Sequence, residues 1–103
     1  MKEINADYRS ADGRMYFSFC FCREGLSKGW KIKILDPIDY EGRDTGGHAT
    51  HRLFFNDCTC ICWAGKISTF EEAKSIASLW ADITSLYIRG HGSFDSIASK
   101  LMK

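Results

Sequence analysis

Arg14-Met15-Tyr16-Phe17-Ser18-Phe19-Cys20-Phe21-Cys22-Arg23 alternates with period two, a pattern that belongs to a strand and not to a helix. Met15, Phe17, Phe19 and Phe21 share one face, and Tyr16, Ser18, Cys20 and Cys22 share the other. Both faces are largely apolar, so the spacing predicts a strand inside a sheet rather than at its edge. Ahead of it, Lys2 to Arg9 sets Ile4, Ala6 and Tyr8 against charged or amide residues. Ala11-Asp12-Gly13 joins the two as a hairpin, because Asp-Gly tolerates the positive φ of such turns. Behind it, a turn over 24–29 leads to Trp30–Leu35, where Trp30, Ile32 and Ile34 point inward and Lys31 and Lys33 outward. Asp36-Pro37 ends that strand.

Farther along, residues 38–49 form a polar loop containing Gly42, Gly46 and Gly47. Thr50–Phe55 reads as a strand, Asn56-Asp57 as a short turn and Cys58–Ala64 as the returning strand. After Gly65 the period becomes 3.6. Phe70, Ala73, Ile76, Ala77, Trp80, Ile83 and Tyr87 lie on one stripe, widened by Leu79 and Leu86. Ser68-x-x-Glu71 and Thr69-x-x-Glu72 are overlapping capping boxes, and Gly90 marks the stop after Arg89. Ser93 caps a second, shorter helix whose apolar face is Phe94, Ile97, Ala98 and Leu101. Strands come first and helices last. The expected fold is α+β: an antiparallel sheet of four to five strands, one long helix packed on one face and a short C-terminal helix, in a single domain over residues 1–103.

The 103 residues leave room for one core, and 45% apolar with 26% charged residues is an ordinary globular balance. Fourteen Lys+Arg against 13 Asp+Glu leave a formal charge of +1, which carries no electrostatic footprint for nucleic acid or anionic membrane. Lys31 and Lys33 on one strand face read as edge protection, and Phe17, Phe19 and Phe21 as core under a helix rather than a stacking platform. No apolar run approaches the length of a membrane span, and the first residues lack a signal-peptide apolar stretch. A reducing cytoplasm is the expected setting.

Chemistry concentrates in five cysteines, Cys20, Cys22, Cys58, Cys60 and Cys62, in two alternating runs. Their odd number and setting favour free thiols packed as small hydrophobes. Two sharper uses remain open. His48, His51, Cys58 and Cys60 are four borderline-soft ligands of the kind zinc takes in tetrahedral sites, although alternating thiols start about 7 Å apart along a strand. A nucleophilic thiol is the other, since His51 lies beside the Cys58–Ala64 strand if that strand pairs with Thr50–Phe55. Asp36, Asp39, Glu41 and Asp44 lack calcium-loop spacing and read as a solvated loop. Met15, Trp30, Trp63 and Trp80 read as core, and His91 as an exposed turn residue.

The stretch His51-Arg52-Leu53-Phe54-Phe55-Asn56-Asp57-Cys58-Thr59-Cys60-Ile61-Cys62-Trp63, followed by a helix with Trp80, Tyr87 and Gly90, resembles short bacterial relatives of ubiquitin-conjugating enzymes over residues 51–92. Those proteins place a histidine and a turn before an apolar-flanked cysteine, ahead of a Trp- and Tyr-bearing helix. The resemblance implies a cysteine that carries a thioester to a small ubiquitin-like partner. Cys62, flanked by Ile61 and Trp63, matches that cysteine, with Cys60 next.

The residues favour a non-catalytic protein-interaction module of bacterial, phage or mobile-element origin, with no cofactor. A partner is expected because one helix covers one sheet face, leaving an apolar remainder around Tyr16, Cys20, Cys22 and the Cys58 run. That partner is another protein or a second copy in a homodimer. The alternatives are a thiol enzyme using Cys62 or Cys60 with His51, and a small zinc-binding domain using His48, His51, Cys58 and Cys60.

Overall fold

A computed structural model describes residues 2–23, 25 and 29–102. In chain order it contains β1 (Lys2–Arg9), β2 (Tyr16–Arg23), β3 (Lys31–Ile34), α1 (Gly47–Thr50), β4 (Arg52–Phe54), β5 (Thr59–Ile61), α2 (Phe70–Ile88) and α3 (Phe94–Leu101). The five strands form one antiparallel sheet in the order β1-β2-β3-β5-β4, so the last strand to form enters between β3 and β4. This is the expected α+β fold. The turn expected over 24–29 lies largely outside the described residues.

β2 runs between β1 and β3, as its two apolar faces require. Its phenylalanine face lies under α2. Trp80 meets Phe17 and Phe19 edge-on at 5.6 and 6.2 Å between ring centroids, and Phe70 meets Phe21 edge-on at 5.3 Å. Trp30, Ile32, Ile34, Ile76 and Ile83 complete the buried cluster. Thr69 is the true N-cap of α2, accepting from the Glu72 amide at 3.1 Å, while Glu72 reaches back to the Ser68 amide at 2.9 Å. Carboxylates tie the β1–β2 hairpin to the helix. Asp82 accepts from the Tyr8 hydroxyl at 3.0 Å and the Ala11 amide at 2.7 Å, and Asp12 accepts from the Ser85 hydroxyl at 2.7 Å.

Three local readings change. Thr50, expected at the start of a strand, instead ends α1, and His51 follows it in the left-handed region at φ 52°. The cause is a close approach: a Cβ at Gly47 would lie 2.7 Å from the Arg52 carbonyl, so a glycine there lets this single turn pack on β4. Returning from the Asn56-Asp57 turn, the chain pairs only over β5 and leaves the ladder after Ile61, short of the expected Ala64. Trp63 therefore does not join Trp30 and Trp80 in the core and is 43% exposed.

The face away from α2 also differs from expectation. Tyr16 is exposed beneath the Arg9 guanidinium, 5.5 Å above its ring, and Ser18 donates to Asp7 at 2.8 Å. Cys20 and Cys22 are buried there without a helix. Asn5 and Lys33 flank Cys20 in register, and Glu3 and Lys31 flank Cys22, so long side-chain stems shield the thiols. Of the apolar remainder expected around Tyr16, Cys20, Cys22 and the Cys58 run, the part at Cys22, Cys58 and Cys60 lines a groove, and the exposed apolar side chains beside it are Leu53, Phe55 and Trp63. Among the described residues, no helix is long and apolar enough to cross a membrane.

Candidate functional site

Two cavities meet at the end of β5. β3 and β5 are held in register where Lys33 faces Cys60 and Ile34 faces Thr59. Before that pair β3 turns instead toward the segment leading into α2, and the Trp30 amide donates to the Ile67 carbonyl at 2.8 Å. Between the diverging strands opens a groove of about 600 Å³, lined by Lys31, Lys33, Leu53, Phe55, Cys58, Cys60 and Trp63 among others. Phe55 leans across it, with the Lys31 ammonium 4.9 Å from its ring centroid.

On the other side of Trp63 lies a second pocket of about 160 Å³ under α2 and α3. Its walls are apolar: Ile76, Leu79, Trp80, Ile83, Phe94, Ala98 and Met102, closed by His51 and Cys62. Trp63 and Ile61 line both cavities and form the partition between them.

His51 is held at every polar atom of its backbone. Its amide donates to the Gly47 carbonyl, and its carbonyl accepts from the Cys62 amide at 2.8 Å. The ring stacks on Phe94 at 4.2 Å, and Nε2 lies 2.8 Å from an Asp95 carboxylate oxygen in the first turn of α3. Nothing in the sequence marked Asp95 as a partner for His51, because 44 residues separate them and an acid early in a helix is ordinary.

The four proposed zinc ligands fall into two groups. His48 and His51 line a cleft against Tyr87 and α3, whereas Cys58 and Cys60 line the sheet groove. Cys60 alternates onto the face opposite α2, while His51 turns toward α3. Among the described residues no three His, Cys, Asp or Glu side chains are grouped to hold a metal ion. The expected ligand set His48, His51, Cys58 and Cys60 is therefore not assembled.

The thiols also divide. Cys62 is half-buried and shares its pocket with His51, so the structure brings together one of the two expected thiol–histidine pairs. Cys60 does not share that pocket and is 2% exposed. Burial, then the neighbouring Cys58 thiol, pushes the Cys60 thiol up to about 12, the opposite of what an activated nucleophile needs. Burial likewise raises Cys22, with Lys33 opposing it.

No protein family, curated protein or solved structure matches this chain. Leu53, Phe55 and Trp63 had no sequence signal as surface residues: apolar residues in short strands ordinarily face a core. Their shared exposure appears only once β5 is seen to leave the sheet early.

Proposed function

We propose that this chain is a small, non-catalytic protein-interaction module of the cytoplasm, and that it holds an extended segment of a partner protein in the groove between β3 and β5. One observation supports this most. Leu53, Phe55 and Trp63, each between 43% and 48% exposed, converge on a single groove instead of being scattered. Scattered surface apolar residues are normal, whereas several lining one concavity mark a binding surface. Lys31, Lys33 and Lys66 outnumber Glu3 and Asp57 along its lining, so the fitting segment pairs apolar side chains with acidic neighbours.

A photoreactive residue placed at Phe55, in the cell that makes the protein, tests the reading against one placed at Ser75 on the exposed flank of α2. The expected result is a discrete adduct from position 55 alone, lost when Leu53→Ser and Trp63→Ser are added to a chain that still folds. An adduct of twice the chain mass identifies a second copy as the partner. Equal adducts from both positions, or adducts indifferent to the two serines, overturn the proposal.

A second reading rests on the apolar pocket. His51 and Cys62 line it together, with Asp95 fixing the imidazole, which is the grouping of nucleophile, base and orienting acid that a thiol enzyme would use. No hydrogen bond joins the two side chains, so His51 sits near Cys62 without being poised to take its proton. The interaction reading is accordingly the stronger one.

A further inference from the structure

The Sγ atoms of Cys58 and Cys60 lie 3.9 Å apart, in hydrogen-bond contact, on the wall of the sheet groove. The structure brings neither of them to His48 or His51, with which the sequence grouped them. We propose that Cys58 and Cys60 form a redox-active dithiol that closes reversibly to a disulfide by exchange with a low-molecular-weight disulfide. The inference is independent of what the groove binds.

Position decides why this pair closes and Cys20–Cys22 does not, while Cys62 lies apart in the apolar pocket. Cys20 and Cys22 lie within β2, paired to β1 on one side and β3 on the other, so their backbone is fixed at strand spacing. That spacing, about 7 Å between alternate residues, is at the outer limit for a disulfide. Cys58 precedes β5 and follows the exposed Asn56-Asp57 turn, where its carbonyl accepts from the Phe55 amide at 2.9 Å. Outside the ladder, it already sets its Sγ 3.9 Å from that of Cys60, which the ladder holds between Lys33 and Leu53.

The two sulfurs have different roles. Cys58 is half-buried and reaches the groove, so its thiolate attacks the incoming disulfide and expels one small thiolate. Cys60, buried and kept in the thiol form, then gives up its proton and attacks the Cys58 sulfur, expelling the second small thiolate. One S–S bond is broken and one is formed. Two electrons pass from the protein sulfurs to the small disulfide, and the two protein protons end on the departing thiols. A ring closed across one intervening residue is strained, which makes it readily reduced rather than structural.

The test is to equilibrate the folded protein in glutathione buffers of graded redox ratio, alkylate, and count free thiols by intact mass with peptide mapping. The expected result is a reversible fall from five free thiols to three at an oxidising ratio, mapping to Cys58–Cys60 and persisting in Cys20→Ser/Cys22→Ser. In Cys60→Ser, glutathione remains trapped on Cys58. Five free thiols even with oxidised glutathione in large excess, or a disulfide mapping to other cysteines, overturns the proposal. Mapping in the unsubstituted chain decides it even if a variant fails to fold.

Discussion

Replacing Asp12 with alanine tests whether the β1–β2 hairpin is fastened to α2 through one carboxylate. Asp12 accepts from the Ser10 hydroxyl at 2.6 Å, the Arg14 amide at 3.1 Å and the Ser85 hydroxyl at 2.7 Å. The Arg14 amide can turn to water, but Ser10 and Ser85 are 3% and 0% exposed. Asp12→Ala therefore strands two buried hydroxyls, the Ser85 hydroxyl alone at a cost of about 1–3 kcal/mol. Ser85→Ala removes the same bond while leaving the exposed carboxylate free to rehydrate, which costs only about 0.5–1.5 kcal/mol. In the double variant the Ser85 hydroxyl is no longer stranded, so the two costs overlap by about 1 kcal/mol. Urea unfolding of the four proteins reads that coupling. Asp12→Ala alone lowers Tm by about 10 °C for a loss near 2 kcal/mol in a chain of this size.

The same contact sets a pH signature. Burial alone would raise the Asp12 carboxyl, but the bonds from Ser10, Ser85 and the Arg14 amide outweigh it and hold the group below its ordinary value. A group with a lowered folded pKa contributes stability above its unfolded pKa, and that contribution disappears as pH falls through the folded value. The difference between Asp12→Ala and the parent chain is therefore largest near neutrality and shrinks below about pH 4. Additive single effects, or a difference independent of pH, refute the reasoning.

Tyr40 gives a signature at the opposite end of the scale. Burial pushes its phenol up to about 12, with the Arg52 guanidinium over the ring opposing it, so stability is lost as pH rises from about 10 to 12. Tyr40→Phe removes up to about 2–3 kcal/mol of that alkaline loss, read by urea midpoints across the same range; an unchanged profile would mean that the ring is not sequestered. Iodoacetamide at neutral pH separates the two readings of the cysteines: an interaction module labels Cys62 no faster than an unstructured cysteine peptide. Labelling of Cys62 at least tenfold faster, slowed by His51→Gln, would instead favour thiol chemistry in the apolar pocket.

The fold was legible where local pattern and tertiary placement agree. Phe17, Phe19 and Phe21 alternate and do face the helix, Thr69 and Glu72 do cap it, and Ser93 does open α3 by accepting from the Ser96 amide at 3.1 Å. α1 was hidden because Gly46-Gly47 is a poor helix start and a single turn has no periodicity to read. It exists through tertiary support: Thr50 donates its hydroxyl to the Gly46 carbonyl at 2.8 Å, and the Trp80 indole donates to the Thr50 carbonyl at 3.1 Å.

The groove depends on a feature that no window of sequence contains. Cys58 to Ala64 alternates as a strand throughout, yet β5 stops at Ile61. The reason lies outside the segment. β3 gives its register to β5 only beside Lys33 and Ile34, and the Trp30 amide is taken by the Ile67 carbonyl. That bond is possible because Gly29, at φ 74°, lets the chain pass close to Lys66 and Ile67, where a Cβ would meet the Ile67 carbonyl at 3.0 Å. Once β3 is committed to residue 67, Cys62 and Trp63 have no partner on the β3 side, and Cys62 keeps its amide bond to the His51 carbonyl on the β4 side. Cys62 turns into the apolar pocket, Trp63 stands between the two cavities, and Leu53 and Phe55 are left facing open space. The Trp30–Ile67 bond thus marks where β3 parts from β5, and the apolar residues beside that parting line the groove.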